Sequence, residues 1–260
     1  MASPKPFQFH YRQRGSGPVI LFLHGFMGHD RDFDAVVECL QHRYTCLTLD
    51  LPDHGQTRLA ADTYTMSTVA DSLLDWLTQV TDQPCTLLGY SMGGRLALYL
   101  ALTAPERFSH LVLESASPGL KTKAERQARI ALDEARAQQI QQDFDDFLQR
   151  WYQAPMFRNL AQQPEFEAML QRRRQNCPKA LGRSLRCLGT GQQPNLWPHL
   201  HKLTMPTLLI TGEQDKKFCA INAEMAQQIP NAERIIVSGC GHTVHTENSD
   251  RYAGAIAALA

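Results

Sequence analysis

The pentapeptide Gly89-Tyr90-Ser91-Met92-Gly93 stands between an apolar run, Thr86-Leu87-Leu88, and a helical run from Arg95 to Leu102. A serine placed there is forced onto a tight strand-to-helix turn. The small residues around it keep neighbouring side chains out of the bend, so the hydroxyl stands clear at the edge of a sheet. Gly and Ser are common, and the pentapeptide gains its weight from context: a strand before it, a helix after it, and an acid and a base further along the chain.

The 260 residues suit one domain with an insertion, long enough to bury a core. A formal net charge of zero offers no global field for nucleic acid or an acidic membrane surface. The stretch Met1-Ala2-Ser3-Pro4-Lys5-Pro6-Phe7 is too polar for a signal peptide or a membrane span. Seven scattered cysteines without Cys-x-x-Cys spacing argue against a disulfide framework or a structural zinc site and fit a reducing cytoplasm. Cys240-Gly241-His242 supplies too few ligand types for a metal, so no metal and no cofactor is expected.

Short β-type runs alternate with longer helical ones, the pattern of a mostly parallel sheet covered by helices. The runs are Val19 to Leu23, Thr45 to Leu49, Cys85 to Leu88, Leu111 to Glu114, Thr207 to Thr211 and Arg234 to Val237. Phe7 to Arg12, ahead of the turn Gly15-Ser16-Gly17, reads as one arm of an antiparallel edge. Helices are expected at Arg31 to Leu40, Met66 to Val80, Gly93 to Ala104, Ala220 to Gln228 and Asp250 to Leu259.

From Gly119 to about Trp197 no convincing strand occurs, only helical sequence such as Ala124 to Arg136 and Phe144 to Tyr152. Residues 119–198 therefore read as a helical cap inserted into a core made of 1–118 and 199–260. Residues 119–190 hold 13 Lys and Arg against 8 Asp and Glu, a balance of +5, which leaves −5 for the remainder. A basic cap over an acidic body suits a small anionic substrate, although solvated arginines on exposed helix faces give the same tally.

A serine hydroxyl needs a base to take its proton, and the base needs an orienting carboxylate. Gly212-Glu213-Gln214-Asp215 follows one strand and Ser238-Gly239-Cys240-Gly241-His242 the next, so Asp215 and His242 should meet Ser91 at the C-terminal sheet edge. Glu114, Glu213 and His245 are rival acids and base, ranked lower on loop spacing. In Leu23-His24-Gly25-Phe26-Met27-Gly28 the glycines let the backbone approach a reacting oxygen, and the N–H groups of Phe26 and Met92 are the expected oxyanion donors. His24 reads as a turn-fixing residue, and Asp50 in Asp50-Leu51-Pro52-Asp53-His54-Gly55 as part of a loop shaped by Pro and Gly. Arg95, one helical turn after Ser91, is either ion-paired or a clamp on a substrate carboxylate.

These motifs resemble one family. They are His24-Gly25-Phe26, Gly89 to Arg95, Glu114 to Leu120, Ala124-Glu125-Arg126-Gln127, Trp151-Tyr152-Gln153-Ala154-Pro155, Gly189 to Pro194, Gly212 to Phe218 and Gly241-His242. Together they are similar to the 2-succinyl-6-hydroxy-2,4-cyclohexadiene-1-carboxylate synthases of the α/β-hydrolase superfamily. The order Ser, Asp, His is that of the superfamily; the Trp-Tyr-Gln and Gly-Thr-Gly-Gln-Gln-Pro motifs are more specific. The resemblance implies an α/β-hydrolase fold with an inserted helical cap, and a pocket that binds a polycarboxylate with arginines. Arg95 and Arg126 match by motif, the third arginine falls within Arg172-Arg173-Arg174 with Arg173 favoured, and Tyr90 and Trp151 match pocket positions. Asp53 stands where relatives often have glycine.

The expected activity is a lyase that eliminates pyruvate in menaquinone or phylloquinone biosynthesis, with Ser91, His242 and Asp215 as a proton-abstracting triad and a monomer as a workable assembly. A serine hydrolase of a carboxylated ester or a ring-cleavage carbon–carbon bond is the enzymatic alternative, and a non-catalytic ligand-binding protein the other.

Overall fold

A computed structural model describes residues 7–259; the stretch Met1 to Pro6, read above for a leader, lies outside them. Two short strands come first, β1 (Phe7–Gln8) and β2 (Tyr11–Arg14), where the sequence suggests one arm. β1 pairs with β5 (Arg58–Leu59) in a separate two-stranded ribbon, whereas β2 runs antiparallel along β4 (Thr45–Leu49). The run breaks at Phe9–His10 because the His10 amide turns aside to the Thr57 hydroxyl, 3.0 Å away, and its carbonyl accepts the Asp50 N–H.

The remaining strands are β3 (Val19–Leu23), β6 (Cys85–Tyr90), β7 (Phe108–Glu114), β8 (Thr207–Gly212) and β9 (Ala232–Val237). The seven-stranded sheet has the order β2-β4-β3-β6-β7-β8-β9, and every pairing after β2–β4 is parallel. Central strands are apolar on both faces, and the two-residue period sorts them. Leu21 and Leu23 of β3 enter one core cluster, Ile20 and Phe22 the other. β6 runs to Tyr90, beyond the apolar run that marks it in sequence, because Tyr90 still pairs with Glu114.

Helices cover both faces. α1 (Asp34–Leu40) packs with the later α10 (Ser249–Ala257), while α2 (Met66–Val80) and α3 (Met92–Thr103) lie on the opposite face. A Thr65–Thr68 capping box starts α2 where the sequence places it. α1 begins three residues later than expected, since Arg31–Phe33 form turns that present Asp32 sideways.

Between β7 and β8 no strand occurs. The segment carries α4 (Lys123–Gln142), α5 (Phe144–Tyr152), α6 (Phe166–Arg174) and α7 (Pro178–Leu188). Its helices share their own apolar cluster, including Ile140, Phe147, Leu148, Leu181 and Leu185, into which Met27 of the β3 loop projects. After β8 come α8 (Lys216–Ala226) and, beyond β9, the short α9 (Val244–Glu247). No described helix is long and apolar enough to cross a membrane.

Candidate active site

Ser91 sits between β6 and α3 with φ 50° and ψ −107°, a conformation that costs a β-carbon-bearing residue roughly 1–3 kcal/mol. The turn tolerates nothing bulky around it. A β-carbon on Gly89 would lie 2.5 Å from the Gly93 carbonyl oxygen, and one on Gly94 2.5 Å from the Ala116 β-carbon. The Ser91 amide is tied to the Glu114 carbonyl at 2.9 Å, so the serine is held by the neighbouring strand.

Asp215 and His242 arrive from the ends of β8 and β9. His242 Nδ1 lies 2.6 Å from Asp215 Oδ2, and Nε2 lies 3.3 Å from Ser91 Oγ. The carboxylate requires a hydrogen on Nδ1, which leaves Nε2 as an acceptor facing the hydroxyl. Asp215 is also the N-cap of α8, its Oδ1 accepting the Phe218 amide at 3.4 Å. That second bond orients the carboxylate and explains why α8 starts at Lys216 rather than at Ala220.

The rival residues have other partners. Glu114 accepts from His245 Nδ1 at 2.7 Å and from its amide at 3.1 Å, so this acid and base pair with each other, fully buried behind Tyr90. Glu213 accepts the Gly239 amide at 3.3 Å on the surface. Asp50 takes the amides of Asp30 and Gln56. His24 Nδ1 donates to the Gly25 carbonyl at 2.7 Å while Nε2 accepts the Leu51 amide at 3.0 Å. Burial lowers its pKa to about 4, so it stays neutral as a loop fastener.

His54, which sequence reasoning passed over, does the same. Its Nδ1 donates to the Pro52 carbonyl and its Nε2 accepts the Met27 amide at 3.0 Å; burial lowers its pKa to about 3. With Gly28 N–H on the Gly25 carbonyl and Met27 at φ 63°, the turn after β3 is closed on Phe26, whose amide takes no part in the turn bond. The Met92 amide is one of the N-terminal donors of α3, which no intrahelical carbonyl can reach. Both residues line the same cavity as Ser91.

That cavity, of about 620 Å³, lies between the sheet edge and the helical segment. Seven cationic side chains line it, Arg31, Arg95, Arg129, Arg136, Arg172, Arg173 and Lys217, against the three carboxylates of Asp32, Asp34 and Glu165. Tyr90 lies at its floor with the hydroxyl 3.1 Å from Thr243 Oγ1, and Trp151 packs at its side against Phe26 and Phe147. Arg95, 8% exposed, donates to the Leu188 carbonyl at 2.8 Å. Burial, then the charge of Arg129, lowers its pKa to about 10, which leaves it cationic.

One placement differs from the sequence reading. Arg126 is half-exposed on α4 and stands outside the cavity lining; Arg129, nearly one turn further, lines it, with Nε 2.7 Å from Asp133. Three residues rotate a helix by nearly a full turn, so the motif register alone chooses poorly between them. Arg173 does line the cavity, but it also forks onto Asp32 and takes its Nε to the Tyr152 hydroxyl at 3.2 Å. Arg172 lines the cavity too, while Arg174 pairs on the surface with Asp145 and Glu167.

The charge split has a second use. Arg173 of α6 meets Asp32, and Arg183 of α7 meets Asp53, whose carboxylate also accepts from Tyr64 at 2.8 Å. Basic helices are thus held to acidic core loops, in addition to lining the cavity. Asp32 carries no motif signal, and Asp53 reads in sequence as a matter of loop geometry alone.

The chain matches the family model of the alpha/beta hydrolase fold over residues 18–249. A Bacillus subtilis (strain 168) protein, provisionally named a 2-succinyl-6-hydroxy-2,4-cyclohexadiene-1-carboxylate synthase, is 39% identical over 235 residues, covering 88% of this chain and 85% of its own. A relative from Enterobacter sp. (strain 638), named 2-succinyl-6-hydroxy-2,4-cyclohexadiene-1-carboxylate synthase, is 34% identical over 243 residues, 93% of this chain and 91% of its own. Among solved structures, MenH from S. aureus superposes with a TM-score of 0.92 at 36% identity, covering 96% of this chain and 97% of that one.

Proposed function

Because the chain belongs to the α/β-hydrolase fold family and, within it, to the 2-succinyl-6-hydroxy-2,4-cyclohexadiene-1-carboxylate synthases, we propose that it is a lyase acting through Ser91, His242 and Asp215. Its substrate is 2-succinyl-5-enolpyruvyl-6-hydroxy-3-cyclohexene-1-carboxylate, and its products are the cyclohexadiene carboxylate and pyruvate. The observation that carries this reading is a serine–histidine–carboxylate relay opening into a cavity lined by six arginines and one lysine.

The chemistry follows from the groups present. His242 Nε2 takes the Ser91 proton as Ser91 Oγ takes the ring proton beside the succinyl ketone. The electron pair of that C–H bond becomes an enolate, whose oxygen is held by the amides of Phe26 and Met92 at the positive end of α3. When the enolate collapses, the ring double bond moves by one position and a second one forms. In the same movement the bond from the ring to the enolpyruvyl oxygen breaks, and its electron pair leaves with that oxygen. The departing enolate takes the proton from His242 Nε2 and leaves as pyruvate, so one C–H and one C–O bond are lost without an acyl-enzyme and the relay is restored.

Arg95, Arg129 and Arg173 act as the clamp on substrate carboxylates, with Tyr90 and Trp151 as walls. The helical segment acts as a cap that excludes water and orders those arginines. Seven free cysteines, two of them exposed, support a reducing compartment such as the cytoplasm.

The test is to incubate purified protein with the enolpyruvyl substrate and follow pyruvate release. Stoichiometric pyruvate supports the lyase; turnover of aryl esters with no pyruvate from the substrate would favour a hydrolase. Binding without turnover of either would leave a ligand-binding protein.

A further inference from the structure

The loop that carries His242 is gripped from behind by one carboxylate. Glu247 Oε2 accepts the Gly241 amide at 2.5 Å, and Oε1 accepts the Thr243 amide at 3.1 Å. These are the amides of the two residues on either side of His242. Thr243 in turn places its hydroxyl 3.1 Å from the Tyr90 hydroxyl, next to Ser91 along the chain. The His242 amide itself is held by the Met156 carbonyl at 3.3 Å, from the helical segment.

We propose that Glu247 is a positioning residue for the elimination: its carboxylate sets the backbone of Gly241 and Thr243, and through them the reach of His242 to Ser91 and the seat of Tyr90. This rests on the assignment of Ser91 and His242 as the proton relay.

The geometry explains why a carboxylate is required there. Two N–H groups separated by one residue converge on a single side chain, and only a group with two acceptor oxygens satisfies both. A glutamine offers one acceptor and presents an N–H donor to the other amide. Alanine offers neither, so the Gly241 and Thr243 amides lose their partner, while the bonds to Met156 and Asp215 and that of the Gln214 N–H to the Cys240 carbonyl remain. Glu247 is reached from the last residue of α9, so a short rigid helix anchors the clamp. The adjacent His245–Glu114 pair, packed against the other side of Tyr90 at 4.7 Å between rings, leaves little room for the loop to settle elsewhere. At 3.3 Å the His242–Ser91 contact has no slack, and a shift of about 1 Å there costs on the order of 100-fold in rate.

The experiment compares Glu247→Gln and Glu247→Ala with Ser91→Ala in the full chain. The readouts are steady-state pyruvate release and the downfield proton resonance of the His242 Nδ1–H···Asp215 bond. Glu247→Gln should lower kcat by about 10-fold and Glu247→Ala by about 100-fold, each with KM changed less than about threefold, because the arginines that hold substrate are untouched. The resonance should shift or broaden in both, with circular dichroism unchanged. Full kcat in Glu247→Gln together with an unmoved resonance would overturn the proposal, whatever Glu247→Ala does to folding. If Ser91→Ala retains activity, the relay assignment falls instead, and the resonance alone decides: moved in Glu247→Gln it upholds the positioning of His242, unmoved it removes it.

Discussion

Arg173 and Asp32 meet fork to fork, Nη1 to Oδ1 at 2.9 Å and Nη2 to Oδ2 at 2.7 Å, both side chains under a tenth exposed. Burial alone would raise the Asp32 pKa, and the opposing guanidinium holds it well below the usual carboxylate range. The same pairing keeps Arg173 charged despite its burial. Arg173 therefore lines the cavity in an orientation fixed by the protein, with its Nε on the Tyr152 hydroxyl. A substrate carboxylate bound there, as proposed above, would meet a fixed guanidinium and need not order a flexible one.

Breaking this pair from the core side should be costly. Asp32→Ala leaves a buried guanidinium without a counter-charge, which should lower unfolding free energy by about 3–5 kcal/mol. Asp53→Asn should do less to global stability, because Arg183 is a third exposed, but should release α7 from its core loop. Urea denaturation checks the first, and faster hydrogen exchange confined to Pro178–Leu188 checks the second.

Ser91→Ala removes the proton acceptor and should lower kcat by roughly 10³-fold or more, with substrate affinity retained. Asp215→Asn should also lower kcat sharply, since an amide that donates to Nδ1 turns the ring to the wrong tautomer. Single-turnover pyruvate release, with calorimetric binding of substrate to Ser91→Ala, separates chemistry from binding.

The clamp distinguishes two neighbours on α4. Arg129→Ala, Arg95→Ala and Arg173→Ala should each cost on the order of 2–4 kcal/mol in kcat/KM on the polycarboxylate. Arg126→Ala should stay within about twofold, as a surface change away from the cavity. Arg95→Ala should act most on kcat, given its place one turn from Ser91. Steady-state kinetics of the four variants decide; a large loss in Arg126→Ala with a silent Arg129→Ala would reverse the assignment.

Acid should loosen the loop that presents Phe26. Unfolded, His24 titrates near 6.5; folded, burial holds it at about 4. Below pH 6.5 the unfolded chain takes up a proton that the folded chain refuses, so stability is full above that pH and falls as pH drops towards 4. For His24 alone the loss is on the order of 3 kcal/mol, and His54 acts in the same direction. Unfolding free energies at pH 7.5, 6.0 and 4.5 measure the slope, which His24→Asn should flatten. An unchanged slope in that variant would exclude His24 as its source.

Much of the architecture was legible in local pattern. β3, β4, α2 and α5 coincide with the runs read from sequence, because two-residue and 3.6-residue periodicities and the Thr65 cap act within a few residues of where they are written. The elbow was legible for the same reason: Gly89, Gly93 and Gly94 mark a bend that only small residues permit. The apolar runs that end at Leu88 and begin at Leu111 are shorter than the strands they mark, since pairing with a neighbouring strand carries the extended backbone past the apolar run.

Local pattern alone thus fixed the order of strands and helices and the kind of residue at each strand's end, including the serine, aspartate and histidine on the loops after β6, β8 and β9. Tertiary structure decided which charges meet. Glu114 and His245 turned to each other, His54 joined His24 in pinning the turn after β3, Asp32 and Asp53 drew Arg173 and Arg183, and Arg129 rather than Arg126 faced the cavity. Electrostatic partners act through space across separations of more than a hundred residues, and the choice among several arginines on one helix depends on its rotation against the core. Neither quantity is written in any local pattern.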